Sequence, residues 1–181
     1  FMLAHGGTTH WTARALTAFA LGVPTLVVGL LLQVGIVRWI GAILLLSGVV
    51  MFATQVRAFH SVRMKRKLDS GLKFAMTAVG YMLTAAILGL AALSFGIRHN
   101  RLATSYITIG LLGGLVMYVV GFYYKIVPLL AWTWRYRGRM GREKVPTVAQ
   151  MFSARVADMQ LALMAGGVAL IGIGIGFGTV V

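Results

Sequence analysis

Cysteine is absent from this chain, and only three of its 181 residues are acidic: Asp69, Glu143 and Asp158. The first absence excludes disulfides, thiolate metal sites and cysteine nucleophiles, without identifying a compartment. The second leaves little for paired-carboxylate acid–base chemistry or carboxylate-bound metals. Charge of any kind is scarce at 11% of residues, against about a quarter in soluble domains. Phosphate loops, Ser–His–Asp sets and HExxH patterns are also missing. An enzyme acting alone is therefore not expected.

What the chain has in abundance is apolar sequence, 59% of all residues. So much apolar surface cannot be hidden inside a soluble domain of this size, so lipid is the expected solvent. The apolar residues gather into five stretches, at 15–34, 37–56, 74–97, 103–134 and 156–180. Each meets the ~20 residues a helix needs to cross a hydrocarbon core of ~30 Å. The expected fold is an all-α integral membrane bundle of five transmembrane helices in a single domain, 1–181. The first stretch does not read as a signal peptide. It is longer than a typical apolar signal core, lacks a small-residue cleavage site and runs on into a second span.

Positive charge gives the bundle a direction. The connection from Arg57 to Lys73 carries six basic residues against Asp69, and that from Arg135 to Arg155 carries six against Glu143. The other two connections hold Arg38 alone, then Arg98 and Arg101. Alternation puts both heavy connections on one side, and the positive-inside rule makes that side the cytoplasm. The expected placement is a bacterial inner membrane, with the N-terminus cytoplasmic and the C-terminus periplasmic. The net charge of +14 thus flanks spans rather than marking a nucleic-acid surface.

A few residues within the spans stand out. Lys125 is the one basic residue inside an apolar run, about ten residues from Arg135 and so ~15 Å from that boundary. Pro128 removes the amide that would reach the carbonyl of Tyr124, which predicts a kink. Lys125, with Asp158 and Tyr124, is a candidate proton path or contact for an anionic ligand; the plainer reading is a lysine snorkelling to the headgroups. Asp158 is the only acidic residue that could reach Lys125 from another helix, but a local Asp158–Arg155 pair at i, i+3 is the more ordinary expectation. Pro24 predicts a second kink. Gly110 with Gly114, and Gly172 with Gly176, have the spacing that lets helices approach closely. Trp132, Trp134, Tyr136 and Trp39 fit interfacial belts. Thr147 reads as an N-cap, with 148–155 as an interfacial extension of the last helix.

None of the four histidines lies mid-span. His60 and His10 are candidates for single metal ligands near the basic side, and no bis-histidine haem site within this chain is expected.

From about Arg63 to Leu161 the order of features resembles bacterial polytopic membrane proteins described as haem–copper-oxidase-subunit-I-like or NnrS-like. The resemblance is carried by the basic turn from Arg63 to Asp69 before a span, by the run from Tyr124 through Lys125 and Pro128 to Trp132, and by a basic loop with Val145 and Pro146. Members of that family carry haem or copper histidines on other spans, and this sequence lacks them. The resemblance implies a non-ligating portion or a reduced relative recruited as a subunit.

The favoured reading is a non-catalytic integral subunit of a larger respiratory or photosynthetic electron-transfer complex. Its expected partners are the bilayer and other integral subunits, with a quinone, haem or pigment supplied with a partner chain and no cofactor bound by this chain alone. Beside it stand a small transporter or channel using Lys125, and a redox protein whose haem or copper site another chain completes.

Overall fold

A computed structural model describes residues 9–61, 69–94, 100–139 and 145–177. Among them there is no β-strand. The helices are α1 (Thr9–Leu31), α2 (Gly35–Ser61), α3 (Ser70–Ser94), α4 (Asn100–Thr108), α5 (Met117–Tyr136) and α6 (Ala154–Phe177). A π-helical segment, Ile109–Val116, joins α4 to α5 without a break, since Thr108 and Met117 at its ends both keep right-handed helical dihedrals. Five helical spans are long and apolar enough to cross a membrane, the fourth of them running 36 residues from Arg101 to Tyr136. The protein is an all-α, multi-pass membrane bundle.

α1 and α2 form a hairpin. Its turn places Gln33 at φ 56°, the left-handed region that ends α1. Backbones touch along the hairpin: a Cβ on Gly29 would stand 2.6 Å from the Arg38 amide nitrogen, and one on Gly41 would stand 2.4 Å from that of Leu26. Arg38 Nε donates to the Gly29 carbonyl at 3.1 Å, satisfying an orphan acceptor near the C-terminus of α1. Pro24 lies inside α1 and withholds an amide from Ala20.

The second packing unit is α3 with the π segment, α5 and α6. Its centre is Phe74, Ala78 and Met117, all fully buried, enclosed by Tyr81, Tyr118, Tyr124, Leu161 and Met164. Burying apolar groups from lipid gains little, so close contact and hydrogen bonds must hold this unit. Tyr81 Oη donates to the Ala165 carbonyl at 2.7 Å, and buried Ser105 Oγ donates to that of Gly172 at 3.2 Å.

Of the glycines singled out for packing, Gly114 and Gly172 have no room for a side chain: a Cβ would lie 2.9 Å from Met82 Cγ and 2.6 Å from Ile109 Cδ1. Gly110 faces Ala85 at 3.3 Å, and Gly176 is in ordinary contact with Ser105.

Two of the differences from the expected boundaries bear on the site. α3 starts at Ser70 rather than 74, because the Asp69 carbonyl accepts the amides of Leu72 (2.9 Å) and Lys73 (3.1 Å) and draws a polar turn into the helix. The stretch after Thr147 is not an extension of the last helix. It makes one 3-10 turn, Val148–Met151, then Phe152 is extended and α6 begins at Ala154.

Candidate functional site: a polar layer and a groove at the basic end

The stretch of α5 from Gly121 to Lys125 and the N-termini of α3 and α6 meet at the end of the bundle that carries the heavy basic connections. The register there is set by Gly71 and Gly121, both buried, where the two backbones touch. A Cβ on Gly71 would sit 2.5 Å from the Gly121 carbonyl oxygen. Gly121 is therefore level with the first turn of α3, and Lys125, one turn further, reaches Asp69 at 4.0 Å. The lysine stem runs past Gly71, whose missing side chain leaves it room.

This placement changes the reading of Lys125. From Arg101 to Lys125 the helix already measures ~36 Å, a full crossing of a ~30 Å core. Lys125 is thus level with Asp69 and the start of α3. The acidic residue beside it is Asp69 rather than Asp158, which neither of the sequence-level pairings anticipated. Asp158 instead receives Lys73 Nζ on both oxygens, at 2.8 and 2.7 Å. Lys73 belongs to α3 only because the helix starts early, and that brings it opposite α6. An aspartate immediately before the first helical residue is an N-cap signal, and it was the available clue to Asp69.

Tyr124, the third residue of the proposed proton path, makes a different contact. Its ring stacks on Phe74 at 5.4 Å and 22°, and lies 5.6 Å from Phe152 at 51°. Its hydroxyl donates to Gln160 Oε1. Gln160 Nε2 is left facing the Met164 sulfur at 3.9 Å, a weak acceptor. The three candidates thus join three separate contacts, Lys125–Asp69, Lys73–Asp158 and Tyr124–Gln160.

Beside this layer is a groove of ≈ 500 Å³ between α5, α6 and the 3-10 turn. Tyr124, Val127 and Pro128 form one wall, Met151 and Phe152 another, and Gln160 closes the polar end. Trp132 holds the turn in place by donating Nε1 to the Pro146 carbonyl at 2.6 Å, a structural duty beyond belt anchoring. Within the turn, the Thr147 amide donates to Gln150 Oε1 at 2.9 Å. A second cavity, ≈ 480 Å³, lies towards the opposite half between the hairpin and α3–α4, bounded by leucines such as Leu26, Leu46 and Leu90 together with Tyr106.

Past Lys125, α5 continues for 11 residues to Tyr136, ~16 Å. Ile126, Leu129 and Leu130 are exposed along this overhang, and Trp134 is 97% exposed.

His10 and His60 fall in α1 and α2, but their side chains, like all of His5 and His99, lie outside the described residues. Among the described residues no three His, Asp or Glu side chains gather within reach of one metal ion. Comparison with known protein families, characterised proteins and solved structures finds no match to this chain.

Proposed function

We propose that this chain is a non-catalytic integral subunit of a larger respiratory or photosynthetic electron-transfer complex of a bacterial inner membrane, with its N-terminus cytoplasmic and its C-terminus periplasmic. The observation that carries the subunit reading is the overhang of α5. A helix of ~54 Å outruns the ~30 Å core and even the ~40–45 Å that includes the headgroup layers. The excess is apolar and exposed at Leu129, Leu130 and Trp134. Water is a poor neighbour for such a surface, and another subunit is a good one.

The polar side chains favour the same reading over transport. Lys73, Asp158, Lys125, Asp69, Tyr124 and Gln160 pair with one another at one end, rather than lining a route across. The electron-transfer assignment rests on the resemblance of the Tyr124–Trp132 run to haem–copper-oxidase-like chains. The orientation rests on the basic connections.

Extraction in mild detergent followed by native mass and absorbance spectra tests the proposal. The expected result is a large coloured complex containing this chain. A stable, colourless monomer would sink the reading and move attention to transport.

A further inference from the structure

We infer that the groove beside Tyr124 binds the head of a neutral, flat-ringed amphiphile bearing a carbonyl oxygen, that is, a membrane quinone. This deepens the subunit reading by naming one of the ligands such a subunit would hold, and where. The groove itself is built by this chain alone.

Four features select the ligand. Its volume, ≈ 500 Å³, falls in the range of small-molecule sites, roughly 300–1,000 Å³, and suits a single-ring head with the first part of a tail. No charged side chain is among the described residues that line it, which disfavours a phosphate-bearing head; the nearby Lys125 is turned to Asp69 on α3. Tyr123, Tyr124 and Phe152 present ring surfaces and Pro128 a flat, rigid one, a lining that suits a planar ring better than two flexible acyl chains.

The polar end offers a donor. Because Tyr124 Oη donates to Gln160 Oε1, the amide keeps Nε2 as its donor end, with the Met164 sulfur as its contact. An N–H so placed exchanges a weak thioether contact for a carbonyl oxygen at a gain. Tyr124 is thus a positioning residue for the Gln160 donor. The groove lies level with the polar layer, so a bound ring sits near the headgroups while its tail leaves along α5 into lipid.

The test uses the full chain in lipid nanodiscs and a photoreactive azido-benzoquinone carrying one isoprenoid unit. Saturable labelling is expected on peptides spanning Tyr123–Ala131 and Met151–Gln160, competed by unlabelled decyl-benzoquinone and not by phosphatidylglycerol. Gln160→Leu is expected to weaken binding at least tenfold, and Val127→Trp, which fills the groove, to abolish it. Helical circular dichroism and melting checked on each variant separate loss of the site from loss of the fold. Labelling that does not saturate, that ignores both variants, or that phosphatidylglycerol displaces equally well overturns the inference. Native mass is a separate readout: a monomer that binds the probe loses only the subunit reading, and a complex that does not bind it loses only the site.

Discussion

Gly71 and Gly121 meet backbone against backbone, so that a side chain on either would overlap the other helix: a Cβ on Gly121 would stand 2.8 Å from the Gly71 carbonyl oxygen. This contact registers α5 against the start of α3. It sets Lys125 beside Asp69 and lets Tyr124 stack on Phe74.

Gly121→Val should therefore push α5 off α3. Overpacking of this kind costs about 1–3 kcal/mol, and backbone on both sides leaves little room to relax. Gly80, also in α3, has open space where a Cβ would stand, with nothing within 4 Å, so Gly80→Ala should be neutral or stabilise by about 0.5–1 kcal/mol. Thermal unfolding of both variants in the same detergent checks the contrast. Equal melting temperatures would mean the two helices do not touch at Gly121.

Lys73 and Asp158 join α3 to α6 through both carboxylate oxygens. A double-mutant cycle with Lys73→Met and Asp158→Asn should give a coupling of about 1 kcal/mol. The same cycle on Arg155 and Asp158, neighbours in sequence, should give no more than about 0.3 kcal/mol. The reverse ranking would restore the local pair and remove this tie between helices.

The spans are legible in the sequence because a run of ~20 apolar residues carries its meaning locally. The register of Lys125 is not. Counting from Arg135 along one helix gives only its distance from that end, whereas its level against α3 comes from Gly71, fifty positions before Gly121 in sequence. The partner of Asp158 is hidden for a related reason: Lys73 looks like part of a connection until the Asp69 carbonyl draws it into α3. Gly29 and Gly41, among the tightest contacts in the molecule, give no signal because they face each other's helices across a turn rather than repeating at small-residue spacing. The π segment leaves no sequence signal beyond the adjacent Gly113 and Gly114.

Topology follows from charge, and fusions can check it. Reporters placed after Lys67 and after Arg139 should both register the cytoplasm, and one placed in the connection holding Arg98 should register the periplasm. A split result between the first two would remove one span from the membrane.

The overhang of α5 makes a claim about depth that the absence of native cysteine allows to be tested one site at a time. Lys125→Cys, Leu129→Cys and Trp134→Cys should react with a membrane-impermeant maleimide in the isolated chain in nanodiscs. Ile87→Cys should not: its side chain is exposed on α3 in mid-span, where only lipid can reach it. In native membranes Leu129→Cys should react at least tenfold more slowly than in the isolated chain, because a neighbouring subunit covers it, while Lys125→Cys reports the boundary. Were Leu129→Cys as silent as Ile87→Cys in the isolated chain, the apolar end of α5 would lie in hydrocarbon. It would then need no partner, and the principal structural argument for a subunit would be lost.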